Sequence, residues 1–168
     1  MISPEHAQLM ARYNRWQNGS LYGAADGLGD AARRQDRGAF FGSIHGTLSH
    51  ILWADRIWLS RFGACDRPEG GIGGSTALHP DWEALKDARR EMDKTIMDWA
   101  NGLDEAALSG DLTWFSGAAN AEMSRPVWLL VTHIFNHQTH HRGQVHAMLT
   151  AAGAKPDDTD ISMMKDEA

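Results

Sequence analysis

The chain has little of what several protein classes require. It contains a single cysteine among 168 residues, so no internal disulfide can form, and we expect a cytoplasmic protein. Its 16 Lys and Arg residues are outnumbered by 22 Asp and Glu residues, which gives a formal net charge of −6. This balance argues against nucleic acid as a partner, because phosphate binding requires clustered cations. No apolar run approaches the length of a membrane span, which argues against a membrane protein.

Hydrophobic periodicity predicts four helices of about twenty residues. Their approximate ranges are residues 4–25, 40–62, 81–101 and 126–153. Residues 30–38 form a polar link, and the glycine-rich residues 66–80 read as a long loop. This arrangement predicts an all-α fold, a single-domain four-helix bundle with crossover connections over residues 1–168.

The segment before the last helix favours extended structure. Leu112, Thr113, Trp114 and Phe115 have high β-propensity and are followed by the turn residues around Gly117. We therefore expect a short β-hairpin between residues 108 and 125. Pro126 is expected in the first turn of the last helix.

The second predicted helix is apolar on two faces. One face carries residues such as Leu48 and Leu52, and the other carries His50, Trp53 and Ile57. A helix with two apolar faces is covered on both sides. We expect one face in the core and part of the first or second helix in a homodimer interface.

The last helix carries four histidines within nine positions, from His133 to His141. On a helical projection with His133 at zero, His137 and His141 fall at about 40° and 80°, inside the apolar arc. His133 lies at the edge of this arc, and His140 lies just outside it. Because imidazoles one turn apart can bind the same divalent cation, the pair His137 and His141 predicts a metal site.

Two imidazoles do not complete such a site, since open zinc-type centres use three protein ligands. His6 is close to the N-terminus and His79 lies in the predicted loop. His146 points away from the inward pair. The second helix offers His45 and His50 on different faces, and spacing alone does not choose between them.

Three segments resemble the DinB family. They are residues 13–18 (YNRWQN), residues 47–62 (TLSHILWADRIWLSRF) and residues 133–144, which end in HHRGQ. The resemblance extends from about residue 9 to residue 165. It implies a four-helix bundle, usually dimeric, with a divalent metal on three histidines, which here correspond to His50, His137 and His141.

Known relatives in this family include thiol S-transferases and a mycothiol-dependent isomerase. The resemblance therefore implies a metal-dependent thiol S-transferase or hydrolase that acts on a low-molecular-weight thiol or another small molecule. A non-catalytic, dimeric module that binds a metal or small ligand is the alternative. Imidazole ligands suit zinc or nickel, with iron as a further candidate. Asp55 and Arg142 lie near the ligands in the sequence, and both are expected to be structural. Asp55 lies on an apolar face and requires a buried partner, and Arg142 suits an ion pair or a substrate anion.

Overall fold

The computed structural model describes residues 2–117 and 119–165. The fold is mostly helical, with one two-stranded antiparallel sheet. The elements in chain order are α1 (Pro4–Asp26), α2 (Asp30–Arg34), α3 (Ile44–Arg61), a 3-10 helix (Ile72–Ala77), α4 (Trp82–Asn101), β1 (Asp111–Ser116), β2 (Ala121–Pro126), α5 (Val127–Ala151) and a second 3-10 helix (Ile161–Met163). Within the described ranges, no helix combines the length and apolarity needed to cross a membrane.

Capping side chains set the start of three long helices. Ser3, Ser43 and Asp81 each accept a hydrogen bond from a backbone N–H in the first turn of α1, α3 and α4. The prediction that the second helix starts near residue 40 was wrong by one turn. Gly42 has a φ of 73° and Ser43 is extended, so the helix cannot extend back through them.

Two of the predicted links contain short helices. The polar link includes α2, and the glycine-rich loop includes the 3-10 helix Ile72–Ala77. This 3-10 helix packs against α3. Neither element was predicted, because both are too short to show a hydrophobic period.

The predicted β-hairpin is present. Strand β1 pairs with β2 in antiparallel register, and Trp114 lies opposite Met123. Pro126 is the last residue of β2 and directly precedes α5, so its predicted place inside the first helical turn was wrong by one position. Gly117, Ala119 and Asn120 lie in the turn between the two strands.

The four long helices surround one apolar core. Helix α1 contacts α4 and α5, and α3 contacts the same two helices. Leu21, Leu52, Ile96 and Ile134 come from the four different helices and are at most 1% exposed. The burial of these side chains fixes which face of each helix turns inward.

A buried polar network also links the four long helices. Arg89 on α4 donates to Asp55 on α3 at 2.6 Å and lies 3.0 Å from Asp93 on its own helix. Gln138 on α5 donates to the second carboxylate oxygen of Asp55 at 2.9 Å. Asn14 on α1 donates to Asp93 at 3.2 Å. The expectation that Asp55 has a buried partner is therefore confirmed.

Replacing Arg89 by methionine should destabilise the protein by about 3–5 kcal/mol, because two buried carboxylates lose their cation. Urea unfolding followed by far-ultraviolet circular dichroism measures this loss. Arg90→Met is the matched control, since the Arg90 side chain is exposed and pairs only locally with Asp87. Equal unfolding midpoints for the Arg89 and Arg90 variants would contradict the assigned role of the network.

Candidate metal centre

Three histidines from two helices meet at one point. His50 lies on α3, and His137 and His141 lie one turn apart on α5. One ring nitrogen from each residue lies within 4.8 Å of the corresponding nitrogens of the other two. The Nε2 atoms of His50 and His137 are 3.4 Å apart. We call these three residues the histidine cluster.

His50 is fixed by one contact at the edge of its ring and one on a face of its ring. Its Nδ1 atom is 2.9 Å from Oγ of Ser75, a buried residue of the first 3-10 helix. The ring of Phe41 stacks on the His50 ring with a centroid separation of 3.7 Å. These contacts leave Nε2 of His50 directed at the other two histidines.

His141 is oriented from its own helix. Its Nδ1 atom lies 2.8 Å from Oε1 of Gln144, an oxygen that can only accept a hydrogen bond. His141 therefore carries its proton on Nδ1, and the lone pair on Nε2 is available to a cation. Hydrogen bonds of this kind select the tautomer and the ring orientation of histidine metal ligands.

The three imidazoles are uncharged at neutral pH. Burial, followed by the nearby His141, lowers the pKa of His50 to about 4. Burial, followed by the neighbouring histidines, lowers the pKa of His137 to about 3. Burial also lowers the pKa of His141, although the Gln144 hydrogen bond opposes the shift. Neutral imidazole is the form that binds metal ions.

The remaining histidines lie outside the cluster. His45 is buried, but its Nε2 atom is 2.9 Å from the carbonyl oxygen of His79. His133 and His140 are exposed and flank the cluster on α5. The structure thus brings together the inward pair that periodicity predicted and separates His45 from it. His6 and His146 are not part of the group either.

The histidine cluster opens into a cavity of about 620 Å³. Helices α3 and α5, the hairpin and the glycine-rich loop all contribute to its lining. Its walls are largely aromatic and include Trp53, Trp58 and Trp114. The second apolar face of α3, which carries Trp53 and Ile57, therefore faces this cavity. Another cavity, of about 730 Å³ between α1 and α4, contains none of the three histidines.

Asp55 and Arg142 are structural residues in this arrangement. Asp55 belongs to the buried polar network, and Arg142 donates to Oδ1 of Asn14 on α1 and to Oγ1 of Thr139. Neither residue lines the cavity beside the histidines. Both residues thus have the structural role expected of them, and Arg142 fulfils it through contacts with α1 and with its own helix.

Sequence reasoning missed Phe41, Ser75 and Gln144. Phe41 lies in the turn before α3 and Ser75 in the short 3-10 helix after it, and both segments are too short for a periodic pattern to assign a side chain to a site. Gln144 carried a usable signal, because it follows His141 by three residues and so lies next to it on the helix surface.

The donor set fits a divalent cation. Three neutral nitrogens converge, and two of the rings are held through their opposite nitrogen. Two nitrogens bound tetrahedrally to one zinc ion are separated by roughly 3.4 Å, given zinc–nitrogen bonds of 2.0–2.1 Å. The observed 3.4 Å between the Nε2 atoms of His50 and His137 matches this separation.

Comparison with known proteins places this fold in a family. The sequence model of the DinB family matches residues 3–168. Protein DinB of Bacillus subtilis (strain 168) is 24% identical over 165 residues, which cover 95% of this chain and 93% of that protein. The crystal structure of a DinB-like protein from Bacillus cereus ATCC 10987 superposes with a TM-score of 0.63 at 20% identity, covering 85% of this chain and 90% of that one. The chain belongs to the DinB family.

Proposed function

We propose that this protein is a metal-dependent enzyme that binds a divalent cation through His50, His137 and His141. The observation that carries the proposal is the convergence of three neutral imidazoles at the wall of an open cavity. Zinc and nickel suit this nitrogen donor set best, and iron is a further candidate. Three protein ligands beside an accessible cavity are typical of centres that keep a position for water or substrate.

The proposed reaction is thiol transfer to an electrophilic carbon, with hydrolysis as the related alternative. A bound divalent cation would lower the pKa of a thiol or a water molecule, so that a nucleophile forms near neutral pH. In thiol transfer the thiol proton passes to solvent, a carbon–sulfur bond forms, and the leaving group departs with the electrons of its bond. The aromatic walls of the cavity hold the reactants and exclude bulk water.

Ser75 and Gln144 act as positioning residues in this proposal. Each contacts the Nδ1 atom of one histidine and so leaves the Nε2 atom of that ring directed at the cluster. Phe41 covers one face of the His50 ring and limits its rotation.

A non-catalytic module that binds a metal or a small ligand is the alternative function. It would use the same histidine cluster and the same cavity but would not turn over a thiol. One observation favours this alternative. Within the described ranges no carboxylate lines the cavity, so no Asp or Glu is placed there as a general base.

We further propose a cytoplasmic homodimer whose protomers are single-domain, DinB-type four-helix bundles with crossover connections. Because the second face of α3 lines the cavity, α1 is now the stronger candidate for the dimer interface. We expect sedimentation velocity at micromolar concentration to give about twice the monomer mass. A monomeric boundary at that concentration would contradict the dimer.

Alanine substitution of His50, His137 or His141 should abolish stoichiometric metal binding, because two imidazoles cannot retain the cation against a chelator. Metal content per chain, measured after dialysis against a mild chelator, checks this. The same three variants should lose zinc-dependent consumption of a low-molecular-weight thiol in the presence of an alkyl halide.

His133→Ala is the matched control for this series, since His133 is exposed and lies one turn before His137 on the same helix. It should keep its metal, and so should His140→Ala. Loss of metal from His133→Ala with retention in His141→Ala would reject the assigned ligands. A metal-replete wild type that consumes no thiol would favour the binding module.

Ser75→Ala should weaken metal affinity by roughly 10–100-fold, because His50 loses the partner that orients its ring. Competition with a chromophoric zinc chelator measures this affinity. Ser109→Ala is the control, since the hydroxyl of Ser109 bonds only to the nearby carbonyl of Ala106. If both serine variants bind zinc as tightly as wild type, the Ser75 contact does not orient the site.

A further inference from the structure

The cavity beside the histidine cluster contains two arginines without acidic partners. Arg61 and Arg67 both line it, and no carboxylate of residues 2–117 or 119–165 does so. Over the same ranges, neither guanidinium forms an ion pair. The whole chain carries a net charge of −6, whereas the two arginines give the lining of this cavity a positive charge.

Arg61 is held by stacking and not by charge pairing. Its guanidinium carbon lies 4.4 Å from the ring centre of Trp58 and 5.3 Å from that of Trp114. Stacking engages the flat face of a guanidinium and leaves the N–H groups at its edge free to donate. Burial, followed by the proximity of Arg67, lowers the pKa of Arg61, as expected for a partly desolvated cation beside another cation. An arginine side chain nevertheless stays charged at neutral pH.

Arg61 lies within reach of the histidine cluster. The Trp58 ring that supports Arg61 has its centre 5.1 Å from that of His133. The His133 and His137 ring centres are 5.8 Å apart. The distances from Arg61 to Trp58, from Trp58 to His133 and from His133 to His137 together set an upper limit. The Arg61 guanidinium is therefore no more than about 15 Å from the His137 ring. An extended small molecule can bridge this distance along the aromatic wall.

We propose that Arg61 and Arg67 bind a carboxylate at one end of an elongated thiol substrate whose sulfur reaches the histidine cluster at the other end. The planar, forked guanidinium suits a carboxylate, with which it can form two parallel hydrogen bonds. The indole rings of Trp58 and Trp114 pack along the apolar body of the molecule. The thiol end of this inference rests on the proposed metal function, whereas the carboxylate end rests on the arginines alone.

The test uses two probes that differ only at one end, ω-mercaptooctanoic acid and ω-mercaptooctanol. Binding to the full-length protein is followed by calorimetry in the zinc-loaded and the metal-free forms. The ratio of the affinities for the acid and for the alcohol measures the contribution of the arginines. The ratio of the affinities of the zinc-loaded and the metal-free protein for one probe measures the contribution of the metal site. We expect the acid to bind about tenfold more tightly than the alcohol in both forms, as a charge-assisted hydrogen bond pair warrants.

Arg61→Gln and Arg67→Gln should each reduce the preference for the acid, and the double variant should abolish it. The affinity of the double variant for the alcohol should stay within about twofold of the wild-type value. Arg90→Gln removes the same charge away from the cavity and should keep the preference. Because Arg67 is exposed, its variant gives a decisive result even if Arg61→Gln disturbs the stacked tryptophans. Equal binding of acid and alcohol to wild type, or an unchanged preference in the double variant, would overturn the proposal. If zinc does not change the affinity for either probe while the acid is still preferred, only the proposed metal function is contradicted.

Discussion

The position of the histidine cluster depends on the buried ion pair between Asp55 and Arg89. Consecutive residues of a helix point about 100° apart, so α5 can direct one stripe of side chains at the cavity and the neighbouring stripe at α3. His137 and His141 face the cavity, while Gln138, the next residue after His137, donates to Asp55 on α3. This hydrogen bond ties the rotation of α5 to α3, the helix that carries His50, and the ion pair with Arg89 holds the Asp55 carboxylate that accepts it. A small rotation of either helix would separate the Nε2 atoms that now lie 3.4 Å apart. The buried polar network therefore adds to the apolar core in holding the site, although its groups do not line the cavity.

The elements that could be predicted from the sequence are those with a local signal. The spacing of His137 and His141 fixed their shared inward face, and the β-branched and aromatic run around Trp114 gave the hairpin. The choice of His50 over His45 came only from family resemblance, because the partner that separates them, Ser75, lies 25 residues farther along the chain. The stacking of Phe41 on His50 could not be predicted either, because Phe41 lies in a turn that hydrophobic periodicity had placed inside the second helix. Contacts made by irregular segments depend on tertiary packing, and no periodic pattern encodes them.

The two apolar faces of α3 serve different purposes. One face packs in the core, where Leu48 and Leu52 are at most 1% exposed. The other carries His50, Trp53 and Ile57 and forms a wall of the cavity. From the sequence, an apolar face that lines a cavity cannot be distinguished from one that meets a partner subunit, because both require the same residue types. The hairpin and the glycine-rich loop resolve this ambiguity in the structure, since they close over the face and leave a space of about 620 Å³.

The histidine cluster is held by groups other than its own three side chains. Three imidazoles brought together under partial burial must stay neutral, and the pKa of His137 near 3 reflects this cost. Core packing and the Asp55–Arg89 network hold α3 and α5 in place. In small zinc-dependent domains, by contrast, much of the metal-binding energy is used to fold the chain. Here an apolar core and a buried polar network also stabilise the fold, and a bound cation would lower the pKa of whatever occupies the open position. A scaffold held by groups other than the ligands suits a centre that opens into a substrate-sized cavity, because the ligands must keep their geometry while the open position changes occupant.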